Sequence, residues 1–592
     1  MNRNNNLIKK KIYRYMLTGI MTTVALQLGN IVDAMIVGNL LGSIANGAVS
    51  ASLPFVYLLQ AAAFLLAAGG SVGAAVSLGR KDAASAGKIM GFCILTGIAY
   101  PLILAVLSPA LVPAYVGFTG AEGVQGEMIH DYSQVYALGM PVISFVLIMS
   151  YFMNIDNHPS WSAGMNITAN AVNLAMDYLL VKYTSLGMKG AALSTVLGYL
   201  AAGCIFIPMY FRSSKRMITP AFRGLRDSRK PIAMSVKRGL PTLSFLLMTV
   251  IGMSIINKSV LSSLGAGYYS AYAVTNNTQA IVTMLLNGIT SVIASVAGVL
   301  YGEKDYFGMR AVLSKVLKIS LTTGAVITAV FLAVPQLFAA MYGFRDPELL
   351  PELLRGIRIF SLSFGFFILN SVAQNYYRTI GQTFLSVSVT ALELLILKVP
   401  FMLAGLRLFG FTGLYAGIIF SELGTFLLIN LLRILLQKAG KVPQKGFPAI
   451  PERSDGEIMD MTVTGSDADA VDVSARMMQY CRSEKIDERE SVILALAAEE
   501  LISNIGLHGY TDPEHKEIDI CLSRDGDSLF LRLRDDGIPF DPTAYPSDEH
   551  DSSDLKGLAL LKKMNVRMSY MRVINLNHTI IEIQCKKEQI NG

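Results

Sequence analysis

The chain has 592 residues, of which 52% are hydrophobic and 16% charged, whereas an ordinary soluble protein is about a quarter charged. A single soluble globular domain is excluded. Charge is unevenly divided: residues 451–592 hold 16 Lys+Arg and 28 Asp+Glu, net −12, and residues 1–450 hold 34 and 15, net +19. Two different kinds of protein are joined. The five cysteines show no CxxC spacing and no Cys/His cluster has a zinc-ligand pattern, so neither a disulfide framework nor a structural metal is expected.

The amino terminus is basic (Arg3, Lys9, Lys10, Lys11, Arg14) and runs into a long apolar stretch. Further apolar stretches follow for roughly 400 residues, so this one reads as a first transmembrane helix and not as a signal peptide. At about 20 apolar residues per span, the chain offers twelve spans, from one centred near Ala25 to one centred near Ile429. Positive charges in the short loops, at Arg80/Lys81, Arg212 to Arg238, Lys304/Arg310 and Arg433 to Lys445, fall on one face, which is then cytoplasmic and holds both termini.

The membrane part repeats itself at one constant offset: Leu41-Gly42 pairs with Leu264-Gly265, Gly79 with Gly302, Lys81-Asp82 with Lys304-Asp305, Gly187 with Gly410 and Gly190 with Gly413. Six helices duplicated into twelve share one topology, and a substrate site is expected between the halves near the midplane, with alternating access by rocking of two lobes. The expected division is a first lobe at 1–225, a second at 226–440, a linker at 441–454 and a soluble domain at 455–592.

Acids inside spans are expensive to bury and mark function by default. They are Asp33, Asp177, Glu393 and Glu422. Asp177 follows Asn173 by one helical turn, so an amide and a carboxylate share a face. A carboxylate pair in a low-dielectric cavity suits coupling to a proton or binding of Na+.

Residues 10–440 resemble the multidrug and toxin extrusion (MATE) family of cation-coupled efflux transporters. The resemblance rests on the two-lobed twelve-span pattern, the D-x-x-x-x-G-x-x-x-G run from Asp33 to Gly42, the G-R-K-D loop from Gly79 to Asp82, and N-x-x-x-D from Asn173 to Asp177. It implies that Asp33, Asn173, Asp177 and Thr195 line the coupling-cation site of the first lobe. Glu393 and Glu422 lie in the second lobe, where some members place a coupling acid, but no local motif fixes either, and a packing role is equally open.

Beyond the linker the pattern becomes soluble α/β. Residues 491–505 place Val492, Leu496 and the following aliphatics at helical spacing, and 516–522, 528–534 and 578–585 alternate as half-buried strands do. Glu500, Asn504 and His508 recur every four residues and form one polar stripe on the helix. Asp535-Asp536-Gly537 puts an acid at a strand end, with a glycine able to turn tightly beneath a flat ligand. Gly557 opens a helix whose free N–H groups could hold phosphate.

This order resembles the GHKL ATP-binding fold, most closely its anti-sigma-factor serine kinase branch. The resemblance implies an α/β sandwich binding ATP and Mg2+, with Glu500 as general base, Asn504 as the magnesium ligand, Asp535 reading the adenine amino group, and Gly537 and Gly557 in the nucleotide-binding turns. The last box departs from the family's G-x-G-x, reading Gly557-Leu558-Ala559-Leu560, and an acidic segment (Asp548, Glu549, Asp551, Asp554) precedes it. His508 is assigned no catalytic role.

The expected protein is an α-helical multi-pass transporter of the cytoplasmic membrane with a GHKL-like domain. It exchanges organic cations or amphiphilic small molecules for H+ or Na+, and the cytosolic nucleotide-binding domain regulates it or engages a cytosolic regulatory protein. ATP drive is disfavoured because no GxxxxGK[ST] loop occurs, and no nucleic-acid partner is expected. Two other readings are a lipid-linked oligosaccharide flippase and a membrane-tethered anti-sigma-like serine kinase or sensor.

Overall fold

A computed structural model describes residues 4–584 except 5, 80–81, 157, 215, 304, 441–458, 485, 511–516, 526–527, 545–565 and 574. Gly557, the box it opens, the acidic segment before it, the expected linker, Arg80, Lys81 and Lys304 lie outside the described residues. The chain divides into two compact units: Thr18–Thr290 with Leu317–Leu435, and Met1–Leu17 with Ser291–Val316 and Leu436–Gly592.

The first of these units is helical, as are the Met1–Leu17 and Ser291–Val316 segments of the second. The chain runs through α1 (Asn6–Leu41), α2 (Ser43–Gly79), α3 (Ala83–Thr119), α4 (Gly123–Ile155), α5 (Pro159–Tyr183) and α6 (Met188–Arg212). Then follow α7 (Arg229–Val292), α8 (Gly298–Gly302), α9 (Tyr306–Ala333), α10 (Pro335–Met341), α11 (Leu350–Ser361), α12 (Phe364–Thr379), α13 (Thr383–Ala391) and α14 (Lys398–Lys438). Among the described residues, eight helices are long and apolar enough to cross a membrane, nine if the bent pair α11–α12 is one span. Two of the eight, Arg229–Gly302 and Thr383–Lys438, fold at Gly265 and Gly410 and supply two segments each. One of the eight is the soluble domain's Glu488–His508, whose apolar side is covered by a sheet. The two other long helices, α1 and α5, bring the number to twelve; α5 is the more polar, carrying Asn170, Asn173 and Asp177.

The sequence repeat is written in the backbone. Gly42, Gly120 and Gly187 adopt φ of 93°, 75° and 50°, and their counterparts Gly265, Gly343 and Gly410 adopt 84°, 67° and 65°. Only glycine enters that region at low cost, so the same turns are fixed twice. Asp82 and Asp305 also behave alike: Asp82 Oδ1 accepts from Ser85 N at 2.9 Å, opening α3, and Asp305 Oδ1 accepts from Gly308 N at 2.8 Å, opening α9.

The carboxyl-terminal part of the second unit is a five-stranded antiparallel sheet with two helices on one face. Its elements are β1 (Met459–Val463), α15 (Asp467–Ser483), α16 (Glu488–His508), β2 (Ile518–Asp525), β3 (Ser528–Asp535), β4 (Arg567–Val573) and β5 (Leu576–Gln584), and the strand order is β1-β2-β3-β5-β4. Ser466 and Asp487 cap the two helices, their side chains accepting from Asp469 N and Arg489 N. Leu529, Leu531 and Leu533 alternate into a core with Leu494, Leu501 and Ile502 of α16. Val492 and Leu496, expected at the apolar spacing, are instead 40% and 41% exposed. The buried stripe runs through Leu494, Ala497, Ala498 and Leu501, because these are the positions that face the sheet. Strands β1 and β4 were not foreseen.

Candidate functional site

In the helical unit, Asp177 on α5 is fully buried and sits at the centre of a polar cluster. Asn173 Nδ2 lies 3.1 Å from Asp177 Oδ2, 3.1 Å from Ser194 Oγ and 3.2 Å from Thr195 Oγ1. Ser194 Oγ also donates to Asp177 Oδ1. The Asp33 carboxyl on α1 is within hydrogen-bonding reach of Asp177, and the Tyr132 hydroxyl on α4 meets Thr195. All four residues expected at a cation site are thus neighbours, and Ser194 and Tyr132 join them unforeseen. Serine and tyrosine in an apolar span carry no sequence signal that separates a ligand from a packed hydroxyl.

The helices converge because glycines let them. A Cβ on Gly29, one turn before Asp33, would lie 2.9 Å from Asn170 Cγ, and one on Gly198 would lie 2.4 Å from Ala169 O. Any larger residue at these positions would push α1 or α6 away from α5. The cluster therefore offers two carboxylates, an amide and three hydroxyls in a buried space, a set of hard oxygen donors that can hold a proton or a small cation.

A second buried acid pair lies in the later half. Asn370 Nδ2 donates to Glu422 Oε2 at 2.9 Å and to Glu422 O at 3.0 Å, and the Glu393 carboxyl adjoins that of Glu422. Glu393 occupies a widened π-type turn, Leu392–Ile396.

In the soluble domain, Asn504 Nδ2 donates to Glu500 Oε1 at 2.7 Å on α16. Asp535 ends β3 and is 3% exposed. Its Oδ1 accepts from Gly537 N at 2.9 Å and from Asn577 Nδ2 at 2.8 Å, so among the described residues both bonds fall on one oxygen. Burial pushes the Asp535 carboxyl above the usual range, against the hydrogen bonds from Asn577 and Gly537. Gly537 has no room for a side chain: a Cβ would stand 2.2 Å from Gly509 O, where the turn meets the end of α16. This arrangement fits a flat ligand with an exocyclic amine at Asp535. Asn577 was not foreseen, since it faces Asp535 only through the β3–β5 register. His508 ends α16, and its side chain is exposed.

The comparisons with known proteins agree with both halves. The MatE family model matches residues 19–179 and 242–403, two stretches that start at the same offset as the sequence repeat and cover more than half of the chain, which therefore belongs to the MATE multidrug efflux transporter family. The histidine kinase-like ATPase domain model matches residues 465–583. The multidrug export protein MepA of Staphylococcus aureus strain MRSA252 is 22% identical over 416 residues, 68% of this chain and 89% of that protein. MepA of Staphylococcus haemolyticus strain JCSC1435 is 23% identical over 269 residues, 45% of this chain and 59% of that protein. Among solved structures, an inward-facing multidrug resistance MATE transporter of the MOP superfamily aligns with TM-score 0.62 at 18% identity, over 71% of this chain and 99% of that one. The MATE multidrug transporter DinF-BH aligns with TM-score 0.59 at 18% identity, over 72% of this chain and 96% of that one. The chain is a membrane protein with a MATE fold and an appended ATPase-like domain.

Proposed function

We propose that the protein is a secondary antiporter of the cytoplasmic membrane, with both termini cytoplasmic, that exports organic cations or amphiphilic drugs in exchange for H+ or Na+. The observation that carries this reading is the adjacency of Asp33 and Asp177 amid Asn173, Ser194 and Thr195. Two carboxylates at hydrogen-bonding distance in a water-poor setting repel unless a proton or cation sits between them. Loading one cation relieves the repulsion within the pair and lets α1 pack against α5; unloading drives them apart. A cationic substrate competes for the same charge from the cavity side, so the two loads alternate. The lobes are residues 1–225 and 226–440, followed by a linker at 441–454 and the domain at 455–592.

The ATPase-like domain binds a nucleotide as a regulator. Asp535 takes the base amine, Gly537 lets the turn close on α16, and the adjacent Asn504 and Glu500 would hold a phosphate-bound magnesium and serve as general base. When bound, ATP supplies a transferable phosphoryl group; the chain's own residues supply recognition.

Uptake of a fluorescent organic cation into inverted vesicles under imposed H+ or Na+ gradients tests the transporter. Wild type takes up the dye in one gradient and Asp33→Asn in neither. Equal gradient-driven uptake by both proteins would remove Asp33 from the coupling site.

A further inference from the structure

The repeat pairs Gly79-Arg80-Lys81-Asp82 with Gly302-Glu303-Lys304-Asp305. The two loops keep three residues of four and reverse the charge of the second, Arg80 becoming Glu303. A cytoplasmic loop favours the cation, so the glutamate needs its own reason, and the reason is across the loop. Glu303 pairs with Arg534 Nη2 and His578 Nδ1, and Asp305 Oδ2 stands 3.2 Å from Arg534 Nη1. All four side chains are buried. Arg534 and His578 are cross-strand partners on β3 and β5, on the sheet face opposite the helices.

The same domain also holds the start of α1. Lys11 Nζ donates to Asn575 O at 2.9 Å, Lys10 Nζ lies 3.3 Å from Asp536 Oδ2, and Asn6 Nδ2 donates to Glu517 Oε1 at 2.9 Å. Residues 4–11 lead into the first repeat, whereas Glu303 and Asp305 join α8 to α9 of the second. One soluble domain therefore grips an element of each half.

We infer that the ATPase-like domain is a clasp between the two halves, that its sheet face turned away from α15 and α16 is the docking surface for the Glu303–Asp305 loop, and that nucleotide tightens it. The inference rests on the nucleotide-binding reading above. The physical link is short: Arg534 and Asp535 are consecutive on β3 and point to opposite faces, Asp535 to the nucleotide and Arg534 to the loop. Its cross-strand partners are likewise consecutive, Asn577 bonding Asp535 and His578 bonding Glu303. A ligand that fixes the end of β3 fixes both residues. Linkage then requires that loop docking and nucleotide binding strengthen each other, and a domain joined to both halves resists the rocking that transport needs. ATP is a brake.

The test uses the full chain in proteoliposomes, with a fluorescent ATP analogue for binding and a fluorescent organic cation for gradient-driven transport. Glu303→Arg restores the first-repeat residue and sets like charges against Arg534; Glu303→Gln removes the ion pair more gently and serves if the former misfolds. ATP slows transport by wild type at least about fivefold, and the variants lose this response and bind the analogue at least about fivefold more weakly. Arg534→Glu added to Glu303→Arg restores part of both. If the analogue binds and ATP leaves wild-type transport unchanged, or slows the variants equally, the clasp is wrong and the transporter and nucleotide readings stand. If the analogue does not bind wild type, the nucleotide reading falls and the clasp with it.

Discussion

The Asp33 carboxyl on α1 and the Asp177 carboxyl on α5 stand within hydrogen-bonding reach of one another, and Asp177 is wholly buried. On the proposed reading the pair acts as one unit, so its substitutions are not additive. Asp33→Asn and Asp177→Asn each abolish gradient-driven transport, and the double variant is no worse than either. Initial uptake rates in vesicles matched for protein content check this.

Ser194 donates to Asp177, and Asn173 Nδ2 bonds both Ser194 and Thr195. Removing the Ser194 hydroxyl strips a buried carboxylate of a donor, at about 1–3 kcal/mol. Ser194→Ala therefore changes the apparent affinity for the coupling ion about tenfold or more while leaving substrate binding near its wild-type value. Titrating transport against ion concentration separates the two.

Gly198 leaves no room for a methyl group against the Ala169 carbonyl, 2.4 Å from the position a Cβ would take. Gly198→Ala forces α5 and α6 apart, costs about 1–3 kcal/mol, and disturbs Asn173, whose Cβ would be 3.1 Å away. Loss of thermal stability accompanied by loss of ion coupling is the expected result.

The Asp535 carboxyl is raised by burial in the folded domain. A group with a raised folded pKa contributes stability that is full below its unfolded pKa and is lost as pH rises through the folded value. Asp535→Asn removes this dependence: amide exchange in β3 of the full chain is slower than wild type at neutral pH and equal to it near pH 3. The same variant loses nucleotide binding, since an amide presents a donor where the base amine needs an acceptor.

Glu303 runs the other way. Burial pushes its carboxyl up, but the hydrogen bond from His578 and the charges of Arg534 and His578 outweigh burial and hold it below the usual range. Among the described residues, these two are the charged groups paired with it. A depressed carboxyl contributes stability above its unfolded pKa and loses it as pH falls through the folded value, so the contact persists at pH 5 and opens only below the ordinary glutamate range, near 4.5. Amide exchange at residues 300–305 as a function of pH measures this. Glu303→Gln leaves Arg534 with Asp305 as its carboxylate partner, so the contact weakens without being lost and exchange at these residues quickens.

Much of this was legible from residues alone where the signal is local. The glycines at 42, 187, 265 and 410 announced the repeat because each fixes a backbone turn, and the helix-spaced Asn173 and Asp177 announced a polar face. What escaped notice depends on register or on long-range contact. Asn577 and His578 gain their roles only by lying across β3 from Asp535 and Arg534, and no spacing rule reaches across so much intervening chain. Ser194 looked like any small residue of a packed span. Val492 and Leu496 misled because a helix that places its alanines against the sheet can leave larger aliphatics outside.

The central claim is that Asp33 and Asp177 hold the coupling cation that the substrate displaces. Proton release on adding a saturating organic cation to purified, weakly buffered protein tests it most directly, with Na+ release measured in parallel. Wild type releases about one cation per chain, and Asp33→Asn with Asp177→Asn releases none. Equal release by both proteins would contradict the account.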